Sequence, residues 1–249
     1  MAQRQQKSLE GLLSGHFPRM SKEDYLRLEM AAKDSGAILF GAGEISDLKE
    51  RFENLPERIS QQLNIGISFG VKVSSKVLEE IEDHPTRLYM HHYRAINQLI
   101  DQIALRLSSL IEQEGFDALP IPASQIIDWE RQTAHLSHKM IAKRAGLGWI
   151  GRNNLIINQK YRAQVRYGTI LTNMPLTIDK EVDSSCGDCF DCISVCPASA
   201  IKESYKDYDM ISCLNKLKWF QKNFNIQHYI CGICVKVCQG RRDGIDKKA

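Results

Sequence analysis

Eight cysteines, all between positions 186 and 238, are the residues of this 249-residue chain best suited to chemistry. They read Cys186-x2-Cys189-x2-Cys192-x3-Cys196-Pro197, then Cys213, then Cys231-x2-Cys234-x3-Cys238. Closely spaced thiolates wrap one corner of an iron–sulfur cubane, and eight are what two 4Fe–4S clusters require, with none left over. Disulfides would need an oxidising compartment, and the N-terminal MAQRQQKSLEGLLSGHFPR carries no apolar segment of a secretory kind. Zinc prefers paired cysteines set apart that close one tetrahedron. The spacing therefore predicts two clusters and electron transfer.

The first run has the spacing of a two-cluster ferredoxin, in which the fourth cysteine ligates the neighbouring cluster. Crossed ligation assigns Cys186, Cys189, Cys192 and Cys238 to one cluster and Cys213, Cys231, Cys234 and Cys196 to the other. Gly187 and Gly232 follow the first cysteine of each tight triplet, where a small residue lets backbone turn around sulfur. Pro197 ends the first loop, and residues 198–201 read as a helix start.

A second candidate is Arg144-Ala145-Gly146-Leu147-Gly148-Trp149-Ile150-Gly151-Arg152-Asn153-Asn154. Three glycines in six residues permit a tight turn and close approach of backbone to a bulky ligand. A dinucleotide fingerprint would need a strand before and a helix after, whereas here helical periodicity precedes the glycines. A packed helix-to-strand connection is the plain alternative. His91-His92 and His135-x2-His138 are the only histidine groupings. Positions 135 and 138 would share a helix face, but no acidic or cysteine partner stands at metal-site spacing.

These residues must be positioned by elements that the hydrophobic pattern outlines. A helix is expected over 26–35, closed by Gly36, then a short buried strand over 37–41. Ile65, Ile67, Phe69, Val71 and Val73 alternate as in a strand with one buried face. Ile96, Leu99, Ile100, Ile103, Leu107, Leu110 and Ile111 recur at helical steps until Gly115. A strand over 118–121 and an amphipathic helix over 133–145 follow. Residues 155–158 and 165–172 suit a hairpin turning at Gln159-Lys160-Tyr161. The first 185 residues hold no cysteine, which divides the chain into an α/β unit over 1–178 and a ferredoxin-like unit over 179–249. Apolar content of 43% is ample for a core. A net charge of +3 falls short of a nucleic-acid footprint, and no apolar run approaches membrane-spanning length. Free thiolates without a leader predict the cytoplasm.

The glycine loop and the cysteine array, in that order, resemble the epoxyqueuosine reductase family. There, a helix ending in AGLGWIGKN is followed by a strand, an ILTD-type segment and CGxCxxCxxxCP. This chain has AGLGWIGRN, ILTNMPL at 170–176, CGDCFDCISVCP at 186–197 and CGICVKVC at 231–238. The match is closest over 134–238 and thinner back to about position 26. Members are similar to reductive dehalogenases, so the resemblance implies a mixed-sheet α/β domain holding cobalamin and a two-cluster module feeding it electrons. It sets Gly146, Leu147, Gly148, Trp149, Ile150, Gly151, Asn153 and Asn154 against the corrin. Backbone N–H groups and the asparagine amides would donate to it, and Trp149 would pack on the macrocycle. The family's proton-donating acid, about thirteen positions before Ala145, falls here on Gln132, which does not ionise usefully. His135 is the nearest substitute donor, with Asp128, Trp129 and Glu130 upstream as others. A family segment YxxGxDYH appears only as Tyr89-Met90-His91-His92-Tyr93-Arg94, without the aspartate. The chain stops eleven residues after Cys238, whereas family enzymes continue into a region used for tRNA, so tRNA is a weak expectation. The Arg241-Arg242 and Lys247-Lys248 tail reads as a solvated terminus.

The expectation is thus a cytoplasmic, cobalamin-dependent iron–sulfur oxidoreductase with a catalytic pair at Gln132 and His135. A low-potential donor of ferredoxin or flavodoxin type would feed it, its substrate would be a small molecule or nucleoside, and it would engage no membrane. The alternative is a ferredoxin-like electron carrier or corrinoid-handling protein without turnover of its own, which a bound corrinoid would distinguish.

Overall fold

A computed structural model describes residues 21–52, 55–128 and 133–238. The first helix, α1 (Lys22–Asp34), starts where the Ser21 side chain accepts from the Asp24 N–H at 3.0 Å, and acidic Glu23 and Asp24 favour its N-terminal dipole. Gly36, at φ +105°, ends it. The chain then runs β1 (Leu39–Glu44), α2 (Glu57–Ser60), β2 (Ile65–Lys72), α3 (Ser75–Glu79) and the long α4 (Arg87–Gln113), which Thr86 caps. Next come β3 (Ala118–Ile121), α5 (His138–Arg144), β4 (Trp149–Ile150), β5 (Ile156–Ile157) and β6 (Val165–Thr172). The cysteine-bearing segment adds α6 (Asp191–Ser194), α7 (Met210–Phe224) and α8 (Ile233–Val237).

Helix-and-sheet architecture is as expected, and every pairing in the main sheet, ordered β1-β2-β6-β3, is antiparallel. Both faces of that sheet are covered. Ile67, Phe69 and Val71 point into the core built on α4, while Gly66 meets α5, where a Cβ would lie 2.8 Å from Ile141. The reading of β2 as a strand with one buried face is thereby corrected: its intervening Gly66, Ser68 and Gly70 are buried too, being small enough for close cover. Gly41 and Gly43 work likewise, since a Cβ there would stand 2.2 Å from the Ala145 carbonyl and 2.6 Å from that of Arg144.

Three local expectations are revised. Residues 155–158 do not pair with 165–172: β5 pairs with β4, and β6 lies between β2 and β3 at the sheet centre. The helix expected over 133–145 begins only at His138: Thr133 is engaged in a bridge with Asp128, and the chain bends at 135–136 before the helix starts. Residues 198–201 form no helix. Ser199 takes φ +49° and the Ala200 N–H turns to the Cys196 sulfur at 3.4 Å.

The hydrophobic core crosses the compositional boundary. Phe220, Ile226, Ile230 and Ile233 belong to the same buried cluster as Leu28, Ile67, Tyr89 and Ile100. Asp179 stitches the segments further, accepting from the Tyr25 hydroxyl at 2.8 Å and the Ala42 N–H at 2.9 Å.

Candidate functional site

All eight cysteines are free thiols; Cys186 and Cys238 pack on one apolar cluster and Cys231 on another. Burial pushes Cys238 up to about 12, with Cys186, Cys192 and Cys189 adding to the rise. Burial likewise pushes Cys192 up to about 11, helped by Cys186 and Cys189 and opposed by Arg152. In the second group burial pushes Cys231 up to about 12, with Cys213 and Cys196 adding. Cys234, raised well above the usual thiol range by burial, feels Cys231, Cys213 and Cys196, and also Cys192 across the junction. Cys213 is raised by burial and receives a hydrogen bond from Tyr208. Five thiols this reluctant to ionise, Cys192, Cys213, Cys231, Cys234 and Cys238, have little reason to gather unless a strong local cation deprotonates them. Among the described residues no three His, Cys, Asp or Glu side chains converge as the ligands of a single metal ion. A cubane bonds its four thiolates to four separate irons, so two spread quartets fit it better than one compact site.

The glycine loop adjoins the first quartet. Arg152 donates to the Cys189 carbonyl at 3.0 Å and to the Gly187 carbonyl at 2.8 Å, and its guanidinium lies 4.3 Å from the Phe190 ring centroid. Trp149, Ile157 and Ala163 form a small apolar cluster on which Cys186 and Cys238 pack. The glycines are consumed by the chain itself. A Cβ on Gly146 would lie 2.5 Å from the Lys180 carbonyl, on Gly148 2.2 Å from that of Ile157, and on Gly151 2.4 Å from the Ile157 side chain. The Asn154 amide oxygen accepts from Lys139 at 3.0 Å. What the loop leaves unpaired are buried donors: Trp149 Nε1, Asn153 Nδ2 and Arg152 Nε have no partner among the described residues. As a glycine cradle open to a corrin the loop does not fit; its orphaned N–H groups are the part suited to a polar ligand.

The second quartet has a different neighbour, the N-terminal half of α4. Gly232, at φ +84°, lies so close to Tyr89 that a Cβ would stand 2.8 Å from its ring. Burial raises the Tyr89 phenol strongly, and Cys234 and Cys231 contribute. One turn along α4, Tyr93 carries the guanidinium of Arg166 over its ring at 4.0 Å. Its hydroxyl meets Ser124 Oγ at 2.8 Å, and Arg166 also donates to Asn97 at 2.8 Å and to Ser124. Burial alone would raise this phenol, yet the Arg166 charge and the hydrogen bonds from Ser124, Asn97 and Arg166 hold it below its ordinary value. His228 stands 5.7 Å from the Tyr93 ring.

The histidines are distributed differently from the pattern expected. Since α5 starts at His138, His135 lies before it and the two do not share a helix face. His138 is fixed by Thr169 at 2.8 Å and the Pro122 carbonyl at 3.2 Å, and burial lowers its pKa to about 4. His92 Nε2 accepts from the Ser74 N–H at 2.9 Å and so serves a structural, neutral role. Gln132, Trp129 and Glu130 lie outside the described residues, as does the basic tail. The Tyr93–Arg166 pair escaped the sequence reading because its members are 73 positions apart (166 − 93), on a helix and a strand that only the fold brings together.

No family model matches the chain. It is 32% identical over 134 residues to the epoxyqueuosine reductase of Pseudomonas aeruginosa, covering 53% of this chain and 36% of that protein. To the epoxyqueuosine reductase of Staphylococcus aureus it is 35% identical over 117 residues, 44% of this chain and 31% of the relative. The chain thus spans about a third of the length of these curated relatives. Among solved structures, epoxyqueuosine reductase from Streptococcus thermophilus superposes with a TM-score of 0.62 at 22% identity, over 90% of this chain and 67% of that one. A reductive dehalogenase described as suggesting a mechanism for B12-dependent dehalogenation gives 0.69 at 15% identity, over 90% and 33%. By sequence over about half its length the chain is similar to the epoxyqueuosine reductases, and over most of its length it has the fold of an epoxyqueuosine reductase and of a reductive dehalogenase.

Proposed function

We propose that the chain is an iron–sulfur oxidoreductase of the epoxyqueuosine reductase type. In this reading two 4Fe–4S clusters are held by Cys186, Cys189, Cys192 and Cys238 and by Cys196, Cys213, Cys231 and Cys234. The single observation carrying it is that Cys238 packs with Cys186 on the same Trp149–Ile157–Ala163 cluster, the juxtaposition that crossed ligation needs, while Gly232 beside Cys231 lies against Tyr89. A corrinoid, when bound, supplies the bond-breaking electron chemistry, and its presence is proposed from the relatives. Trp149 Nε1 and Asn153 Nδ2 are the donors the loop offers it.

The chain's own residues supply protons and order. Tyr93 donates the proton from its hydroxyl, because Arg166 and Ser124 stabilise the phenolate left behind. This role replaces the one expected for Gln132 and His135. The substrate is a small molecule or nucleoside whose leaving oxygen needs protonation. Transfer RNA is a candidate because one structural relative was solved with an epoxyqueuosine-modified tRNA stem loop.

Anaerobic reconstitution with iron, sulfide and cobalamin tests the reading. About eight iron atoms per chain, stoichiometric cobalt and turnover of an epoxyqueuosine stem loop are expected. One observation favours the alternative of an electron carrier or corrinoid-handling protein: the loop glycines are filled by the chain itself. Full iron loading without cobalt uptake or turnover would establish it.

A further inference from the structure

A cleft of about 280 Å³ opens beside the first quartet, with Cys238 among its lining residues. Among the described residues Lys72, Lys160, Arg162 and Lys236 line it, opposed by Glu79, for a local charge of +3 from four cations and one anion. Glu79 is itself paired with Lys76 at 2.7 Å. Lys236 is tied into the fold, its ammonium donating to the Glu79 carbonyl at 3.2 Å and to that of Ile81. Lys72 and Lys160 are exposed at the rim. The backbone N–H of Ala163 is directed at the Cys238 sulfur, so the neutral peptide and the cationic rim converge on one cysteine.

We infer that this basic cleft is the entry port for electrons, the docking surface of a small acidic one-electron carrier protein. The inference rests on the two-cluster reading above. The carrier's reduced flavin gives up one electron, and the cluster held in part by Cys238 gains it; no proton or atom is exchanged. Several features favour a carrier over other occupants. The cleft is at the lower end of the range for enclosed small-molecule sites, yet it reaches a cysteine of the cluster. Redox encounters use small interfaces steered by opposite charge, which a cationic rim serves. Single-stranded RNA would want a free aromatic face, and Tyr161 already carries the Lys160 ammonium 5.2 Å from its ring centroid. The position also gives the two clusters an order: the first quartet meets the surface, and the second meets Tyr89 and the Tyr93–Arg166 pair.

Stopped-flow reduction of the reconstituted chain by a reduced acidic flavodoxin tests the port. Lys72→Glu with Lys160→Glu should lower the second-order rate constant about tenfold or more and flatten its dependence on salt. Titration calorimetry with oxidised flavodoxin should show the same weakening without any turnover. Reduction by the viologen radical cation should not slow, since the reversed charge attracts it. Lys202→Glu, in the separate groove lined by Phe190, Ile193 and Ser199, should leave the flavodoxin rate unchanged. Lys160→Glu alone provides a milder variant if the double substitution perturbs folding. Unchanged flavodoxin rates in the double variant, a loss that follows Lys202→Glu instead, or displacement of flavodoxin by an RNA stem loop would each overturn the port. Failure of the chain to bleach with excess dithionite would instead overturn the cluster reading beneath it.

Discussion

The surroundings of the two cysteine quartets differ in what they leave available for chemistry. Around the first, the 146–154 loop spends its glycines on close packing and its Arg152 on the carbonyls of Cys189 and Gly187. The basic cleft at Cys238 opens beside that region. Around the second, Tyr89 presses on Gly232, and the next turn of α4 presents a phenol beside an arginine. The glycines of a conspicuous motif thus pack against the chain itself, while an inconspicuous helix carries the phenol–arginine pair to which we assign the proton. Glycine runs signal close approach, but the approaching partner can be the chain itself.

The largest test of this contrast lies in the crossing of the quartets. Cys196→Ala should remove roughly half the iron and should disturb the cluster of Cys213, Cys231 and Cys234, leaving that of its sequence neighbours intact. Iron analysis with electron paramagnetic resonance reads this directly, and loss confined to the Cys186–Cys189–Cys192 cluster would sink the assignment. Next, Tyr93→Phe should lower turnover by about 10²–10⁴-fold, the usual worth of a general acid, with both clusters retained. Unchanged turnover in that variant would return the proton to another donor.

Substitutions at two glycines sharpen the comparison on the side of stability. Gly148→Val should cost about 3 kcal/mol or more, because the new side chain meets the Ile157 backbone. Gly187→Ala, at φ +50° with nothing within 4 Å, should cost only about 1 kcal/mol, the strain of the backbone alone. Denaturant melts of the reconstituted protein measure both, and equal costs would argue against the tight loop. Between these values lies the acid sensitivity set by His138. Burial, with Arg166 nearby, depresses its pKa to about 4 from 6.5, against the opposing Pro122 carbonyl and Asp101. The unfolded chain therefore takes up this proton first as pH falls. The contribution is complete above about pH 6.5 and is lost progressively down to about pH 4, up to about 3 kcal/mol. His138→Gln should flatten that part of the stability profile; an unaltered profile would show that His138 titrates normally.

Much of this was legible in the order of residues. The tight cysteine spacing that suggests clusters is local and stands in the chain itself, and the long helix α4 followed from its apolar repeat. Gly36 and Gly115 close helices through bonds to carbonyls three positions back, which is why those ends lay at their expected places, whereas α1 starts at Lys22, ahead of the expected position 26. Strand partnership was less accessible. The 155–158 and 165–172 segments are adjacent in sequence, yet β6 is claimed by β2 and β3, because the sheet centre rewards the segment that can be buried on both faces.

The sequence by itself determined the thiol inventory, its crossed spacing and the main helices, since each depends on contacts within a few residues. Only the tertiary structure decided that the glycines close on Ile157 and Lys180, that Lys72 and Lys160 flank Cys238, and that Arg166 covers Tyr93. Those are long-range meetings. They are set by how a sheet and two helical layers bury a common core, and no local preference encodes them.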